Sequence, residues 1–393
     1  VTLVLHGKAV FTRGLPTTSN SHVIRSRQFD SSPDDQADAA IVRNDSELMI
    51  AKRRGYDGAI WIGHLDRIPD APRTLIVLPI EFNYLADGDI IAVEGEAGRV
   101  RSLFRRASSH NSFLVTERCN HNCLMCSQPP RKVNDQWIID ELRSALLLVD
   151  KATPSFTFTG GETLSDWRAF VSLIDDAKRL LPDTAIHVLT NGRAFANSEI
   201  ANAWAGVRHP NLMAGIPVYA AVDSIHDYVV QAKGAFDETV LGILKLKDRK
   251  QRVEVRVVLH SLTAPIIADT CRWFARNLPF VDHVALMGLE NTGFAMGNEE
   301  MLWIDPVDYA GELSKGVNAL LSANMRVSVY NLPRCVLPRS IWPNAIQSIS
   351  DWKNGYVAEC SRCSEQPRCS GFFTSGRPRI SRGVAAISDV LVV

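Results

Sequence analysis

Hydrophobic and polar positions follow two different rhythms along this chain. Through roughly the first hundred residues, short apolar runs are separated by polar linkers, at Thr2–Phe11, Ala59–Gly63, Thr74–Ile80, Asp89–Glu94 and Arg99–Phe104. Runs of this length with flanking Gly, Asp or Asn predict β-strands. Asp87-Gly88-Asp89 marks a turn, and EGEAG at 94–98 reads as a hairpin loop. Segment 29–47 is polar and acidic, which predicts a loop or a surface helix.

From Ser112 the rhythm changes to strand-like runs separated by helical stripes. The runs are Ser112–Thr116, Ser155–Thr159, Ile186–Thr190, Ile216–Val222, Val253–Leu259, His283–Met287 and Arg326–Tyr330. Between them, Trp137–Val149, Trp167–Leu181, Phe236–Lys247 and Pro306–Met325 carry apolar residues at helical spacing. Asp135 is the expected cap of the first helix, and Asp305-Pro306 has the cap-plus-first-turn chemistry for the last. Strands alternating with helices predict a parallel sheet with right-handed crossovers. Six such units exceed half a doubly wound fold and fall short of an eight-fold barrel, so an α/β fold built on a partial, open (β/α)6 barrel is expected. Chemistry in barrels gathers at the C-terminal ends of the strands. After Tyr330 the chain turns rich in Pro, Cys and Ser, with Trp342, Trp352 and Tyr356 as anchors, and a loop-rich region of this kind needs a staple. The expected domains are a β-rich one over 1–107, the barrel over 108–330 and a cysteine-rich region over 331–393.

Composition narrows the class. Among 393 residues, 46% are apolar and 22% charged, the ordinary globular mixture. Lys+Arg and Asp+Glu both number 43, so no global field argues for nucleic acid or an anionic membrane. Residues 330–393 carry 8 basic and 4 acidic side chains, a local excess of +4 that reads equally well as solvated surface. Polar residues interrupt every apolar run short of the roughly 18 that would span a membrane. His6, Gly7 and Lys8 come too early for a signal peptide, so the expected compartment is the cytoplasm.

The eight cysteines are unevenly placed: three within 119–126, four within 335–369, and Cys271 alone. In a reducing compartment such clusters point to metal rather than disulfides. Cys119-x3-Cys123-x2-Cys126 follows a strand, and three thiolates on one loop can hold three irons of a cubane while leaving the fourth iron open. Zinc with His121 as fourth ligand is the alternative. One βα unit later, SFTFTGGET ends a strand with Gly160-Gly161-Glu162, where glycines permit close backbone approach and a carboxylate can pair with an ammonium.

Together these motifs resemble the radical S-adenosylmethionine family. The resemblance implies a [4Fe-4S] cluster on Cys119, Cys123 and Cys126, whose open iron binds the amino and carboxylate groups of S-adenosylmethionine. Reductive cleavage then makes a 5′-deoxyadenosyl radical that abstracts a substrate hydrogen. The family usually has an aromatic residue near the adenine where this chain has Met125. By resemblance, Gly160, Gly161 and Glu162 receive the methionyl amine. Ser224 and Arg256 are further cofactor contacts at strand ends, followed by Asn191 and Asp223, with Thr190 beside them. His260 reads as a barrel histidine held by hydrogen bonds. The stretch Asp223, His226-Asp227, Gly234-x-Phe236 is similar to peptide-modifying members, and NTGFAMGN at 291–298 looks like a loop facing cofactor or substrate.

Cys335, Cys360, Cys363 and Cys369 form C-x24-C-x2-C-x5-C, which spacing alone assigns to either zinc or a cubane. It resembles part of the auxiliary-cluster motif of peptide-modifying radical enzymes, implying an auxiliary [4Fe-4S] cluster, although Phe373 stands where the longer motif has another cysteine. Cys271 reads as a buried helix residue. The whole layout is most similar to the HxsC-type radical maturases of the His-Xaa-Ser system. That resemblance implies a ribosomally made precursor peptide as substrate, a sister radical maturase as partner and an external electron donor. An enzyme acting on a nucleotide or RNA is the alternative, supported only by the basic cluster RVRSLFRR at 99–106. A non-catalytic metal scaffold is a third reading.

Overall fold

The computed structural model describes residues 5–15, 21–69, 72–94, 98–347, 354–374 and 379–388. By contact density the chain falls into two compact units. One comprises 1–115, 134–157 and 172–185, and the other 116–133, 158–171 and 186–393.

The first unit is built on eight strands: β1 (His6–Lys8), β2 (Phe11–Arg13), β3 (Ser21–Gln28), β4 (Asp38–Val42), β5 (Gly58–Ile62), β6 (Thr74–Leu78), β7 (Ile90–Glu94) and β8 (Arg99–Phe104). Their order in the sheet is β1-β8-β7-β3-β4-β5-β6-β2. β3 to β6 run parallel, and β7, β8, β1 and β2 pair antiparallel at the two sides. The centre of the sheet is covered on both faces, and its strands are therefore continuously apolar rather than alternating. Ile41, Ile60, Ile76, Ile91 and Val93 form one core layer. Ala40, Val42, Trp61, Leu75 and Val77 form the other, packed with Leu48 and Ala51 of the helix Asp45–Arg53.

Two expectations are corrected here. The segment 29–47 is not simply loop and surface helix, because Asp38–Val42 is a fully buried central strand. Its entry carboxylate, Asp38, is held by Arg25 Nε at 2.7 Å, which explains an acidic residue in a core strand. Thr2–Phe11 is not one strand but contributes to two, β1 and β2. The hairpin loop expected at 94–98 falls largely on 95–97, and Trp352 within 348–353, both outside the described residues.

A second sheet holds β9 (Ser112–Leu114), β10 (Ser155–Thr159), β11 (Ala185–Leu189), β12 (Leu212–Pro217), β13 (Arg252–Leu259), β14 (His283–Gly288) and β15 (Val327–Tyr330), hydrogen-bonded in chain order. The registers from β11 to β15 are all parallel, as βα crossovers require. β9 and β15 stand at the two ends of the order, so the barrel is partial. The expected strand Ile216–Val222 lies earlier, at Leu212–Pro217. Val218, Tyr219 and Ala220 are buried and apolar but belong to the loop that follows. The helix Trp137–Leu148 starts after Gln136, not on a side-chain cap from Asp135. The Asp305 cap does form, with Val307 N–H donating to its carboxylate at 3.2 Å. Beyond β15 the chain has short 3₁₀ turns and a two-residue pairing of β16 (Asn354–Gly355) with β17 (Phe372–Phe373). Among the described residues no helix is long and apolar enough to cross a membrane.

Candidate metal and cofactor site

The cysteine loop is positioned by backbone bonds before any ligand is considered. Asn122 N–H and Leu124 N–H donate to the carbonyls of Val230 and Val229 at 3.2 and 3.0 Å. Those carbonyls end the helix Asp223–Val230, where free acceptors are expected. From the other side, Phe294 N–H donates to Cys126 O at 2.8 Å, and the Asn298 side chain donates to Leu124 O at 2.8 Å. Gly293 sits at φ +56°, and a Cβ there would lie 2.5 Å from Cys126 O. The loop 291–298, expected to face cofactor or substrate, thus clasps the backbone of the cysteine loop.

With the backbone committed elsewhere, the sulfurs are the loop's available donors. Cys119 Sγ accepts from His121 N–H at 3.4 Å, and Cys126 Sγ lies 3.0 Å from Gln128 O. Burial pushes the Cys119 thiol up to about 11, with the neighbouring Glu162 and Cys126 adding to the rise. Burial likewise raises Cys123, helped by Cys126 and Cys119. Three thiols therefore share one another's field in a half-buried loop, an arrangement that suits a metal centre whose positive charge deprotonates them. Among the described residues, no three His, Cys, Asp or Glu side chains already converge as a closed metal cage. Soft thiol donors favour iron–sulfur or zinc over hard cations.

Glu162 is 3% exposed and accepts three hydrogen bonds. Its carboxylate accepts from Thr190 Oγ1 at 2.6 Å, Asn191 N–H at 2.6 Å and Leu164 N–H at 3.0 Å. Burial raises its pKa despite these donors. The two preceding glycines serve a purpose the sequence does not reveal. A Cβ on Gly160 would lie 2.4 Å from Thr116 O, and one on Gly161 2.1 Å from Arg118 O. Their freedom lets the chain approach its own backbone leading into Cys119, where Gly161 N–H and Glu162 N–H donate to Thr116 O and Arg118 O. Asn191 completes the link, its side chain donating to Asn120 Oδ1 at 2.6 Å. Glu162, Thr190 and Asn191 are thus tied by hydrogen bonds to the cysteine loop. Met125 is buried at 6% exposure within the loop.

The other candidate contacts lie outside this hydrogen-bonded set. Asp223 and Ser224 open the helix Asp223–Val230 and are exposed, with Ser224 N–H bonded to Asp223 Oδ1. Arg256 is paired to Glu254 at 2.7 Å, so its charge is already compensated. The His226-Asp227 and Gly234-x-Phe236 elements build structure. Asp227 accepts from Gly234 and Phe236 N–H at 2.5 and 2.8 Å, capping the helix Ala235–Asp248, and His226 packs edge-on against Phe236. His121 is 3% exposed, and burial lowers it to about 3, so its imidazole is neutral. His260 is not fully satisfied: Nδ1 accepts from Leu262 N–H at 3.3 Å, while its buried Nε2 has no hydrogen-bond partner.

Sequence reasoning missed Tyr219, which is 7% exposed and lies in the field of all three cysteines and of Arg256. It stands two residues past β12, inside the run first read as strand.

The second cysteine set lies in irregular chain whose amides point at sulfur. Cys369 Sγ accepts from Arg334 N–H at 3.3 Å and Gly371 N–H at 3.5 Å, and Cys363 Sγ from Ile387 N–H at 3.3 Å. Cys335 lies in the field of Cys369 and Cys360, and Cys360 in that of Cys369 and Cys363. Cys271 is fully buried in the helix Ile267–Asn277, its sulfur beside Gly316. The basic cluster at 99–106 is largely neutralised. Arg99 pairs with Glu94, Arg101 with Glu141, and Arg106 with Asp87 and Asp150.

Residues 113–273 match the family model of the Radical SAM superfamily. No curated protein matches the chain. Among solved structures, Streptococcus suis SuiB bound to S-adenosylmethionine is 12% identical with a TM-score of 0.45, over 57% of this chain and 51% of that one. Native anSMEcpe with bound AdoMet is 17% identical with a TM-score of 0.43, over 56% and 62%. Methylornithine synthase (PylB) is 13% identical with a TM-score of 0.41, over 56% and 64%. The chain therefore spans between about half and just under two thirds of these proteins' lengths.

Proposed function

We propose, from the match of residues 113–273 to the family model of the Radical SAM superfamily, that this chain is a radical maturase that modifies a ribosomally made peptide. The observation that carries the reading is the cysteine loop itself. Its three thiols stand on a backbone already anchored to Val229, Val230, Phe294 and Asn298, beside Glu162. A [4Fe-4S] cluster held by Cys119, Cys123 and Cys126 would supply the electron that reductively cleaves S-adenosylmethionine.

The protein's own work is positional. Glu162, fixed by Thr190, Asn191 and Leu164, offers a buried carboxylate to the methionyl ammonium, with the Gly160–Gly161 backbone beside it. Met125 would pack near the adenine, and Asn191, Asp223, Ser224 and Arg256 would be the remaining cofactor contacts. The second set, Cys335, Cys360, Cys363 and Cys369, would hold an auxiliary cluster, and its amide-to-sulfur bonds would suit a reduced, negatively charged centre. The substrate is a precursor peptide of the His-Xaa-Ser kind, with an external electron donor and a sister maturase as partners. The neutralised arginines at 99–106 weigh against an RNA substrate.

The test is anaerobic reconstitution with iron and sulfide, then incubation with S-adenosylmethionine, a reductant and a peptide bearing His-Xaa-Ser repeats. Formation of 5′-deoxyadenosine together with a mass change on the peptide is expected. Absence of 5′-deoxyadenosine removes the radical reading, and its formation without peptide change removes the peptide reading.

A further inference from the structure

The helix Asp45–Arg53 packs on the first sheet through Leu48 and Ala51, yet it also turns apolar side chains to solvent. Met49 is 49% exposed and Ile50 beside it 38%. A single exposed methionine needs no explanation. Met49, however, borders a cavity of about 260 Å³, lined also by Tyr56, Gly58, Ala59, Pro69 and Pro72.

The lining is fixed in advance. Arg13 donates from Nη1 to Pro69 O at 2.9 Å and from Nη2 to Pro72 O at 2.8 Å, so one guanidinium holds both prolines. The Tyr56 hydroxyl shares a hydrogen bond of 2.6 Å with Ser31 Oγ. These groups need no further ordering when a partner arrives, which lowers the cost of association.

Charge says what the partner carries. Asp45 and Lys52 line the same cavity, from the first and last turns of the helix. With Leu48 and Met49 they stand at i, i+3, i+4 and i+7, which is one helix face. Both are exposed, and among the described residues neither has an ion-pair partner. Seven residues at 1.5 Å each put them about 10 Å apart along the axis. A free amino acid cannot meet both, because its ammonium and carboxylate share one carbon. The matching surface has a base and an acid about one and a half to two turns apart, with apolar side chains between.

This helix carries that pattern itself: acid first, Met49 near the middle, base last. Laid antiparallel on its own copy, it sets Asp45 of each chain against Lys52 of the other. Met49 then stands close to the two-fold axis, where its unbranched side chain adapts to the cavity space on either side. A parallel arrangement would set like charges together. The antiparallel interface is isologous, so one patch serves both copies and assembly stops at two.

We propose that the chain forms a two-fold dimer through the helix Asp45–Arg53, a second copy covering the Met49 face antiparallel. The nine-residue helix is only about 13 Å long. That is short for a standard interface, so the dimer is weak and concentration-dependent. It needs no metal and stands whatever the fate of the radical reading.

Sedimentation velocity of the whole 393-residue chain over a wide range of concentration tests it. The unsubstituted chain should pass from monomer to dimer as concentration rises. Asp45→Lys and Lys52→Glu should each weaken the dimer by about 10-fold or more, because each places like charges in contact across the axis. Mixed in equal amounts, the two variants should regain the affinity, since each introduced charge then faces its opposite on the other chain. Misfolding of either variant cannot produce that recovery. Met49→Glu, at an exposed position, should weaken the dimer as well. A chain that stays monomeric at every concentration overturns the proposal. So does a dimer indifferent to all three substitutions, or a mixture no tighter than its components. A monomer that binds the His-Xaa-Ser peptide in a manner sensitive to Asp45→Lys and Met49→Glu also overturns it, and assigns the face to the peptide.

Discussion

The two cysteine sets solve the same problem in opposite ways. The 119–126 loop is held through its backbone, by helix-end carbonyls on one side and the 293–298 clasp on the other, so its fold is specified without metal. The 335–369 set has 3₁₀ turns and a two-residue strand pair, and several of its backbone bonds end on sulfur itself. The first is a scaffold that presents thiols, and the second a region whose thiols organise the scaffold. Metal should therefore be chemistry for the one and architecture for the other.

The largest test of that contrast is removal of the ligands. Alanine at Cys119, Cys123 and Cys126 together should abolish reductive cleavage of S-adenosylmethionine while leaving the fold intact by circular dichroism. The fully reconstituted protein should hold about eight irons and the triple variant about four, as two cubanes require. A colourless triple variant with one zinc would assign the second set to zinc. Next, Cys360→Ala with Cys363→Ala should make the chain beyond Tyr330 sensitive to limited proteolysis, whereas the triple variant should not change the pattern around 119–126. Equal protease sensitivity in both regions would erase the distinction.

Smaller effects probe the scaffold side. Glu162→Ala should weaken binding of S-adenosylmethionine while iron content persists, and unchanged affinity by calorimetry would leave Glu162 as a purely structural group. Gly161→Ala should cost about 1–3 kcal/mol by overpacking, since the added Cβ meets Arg118 O at 2.1 Å. A urea midpoint equal to that of the unsubstituted protein would argue against the tight approach.

Acid should separate the regions most gently. Burial lowers His121 to about 3 and His187, His226 and His260 to about 4. Their unfolded forms bind protons below about pH 6.5, so stability is full above that value and falls as pH drops toward 4. Glu254, lowered to about 2 in the fold, adds a further loss as pH falls from about 4.5 to 2. No histidine occurs in 331–393. Hydrogen exchange near pH 5 should therefore rise first around 119–126 and last beyond residue 331.

What the sequence made legible follows from how local each feature is. Arg99–Phe104 and Ser155–Thr159 match their strands because period and boundaries are written within a few residues. Asp38–Val42 was hidden inside a polar run, and only its ion pair to Arg25 explains the acidic edge. The cysteine spacing and Gly160-Gly161-Glu162 were readable as chemistry. That the glycines serve contact with Thr116 and Arg118, and that Asn191 reaches Asn120, depends on segments about forty to seventy residues apart. The hydrogen bonds that join Glu254 to His283 and His283 to Ser328 are likewise products of strand register, which no single stretch of sequence encodes.

The clasp on the cysteine loop also makes a built-in reporter. Phe294 N–H can exchange with solvent only when it releases Cys126 O, so its exchange rate counts the moments at which the loop stands unclasped. A centre bound to Cys126 tethers the carbonyl it shares a residue with. Slower exchange at this one amide would then read out loading of the loop in protein that has never turned over.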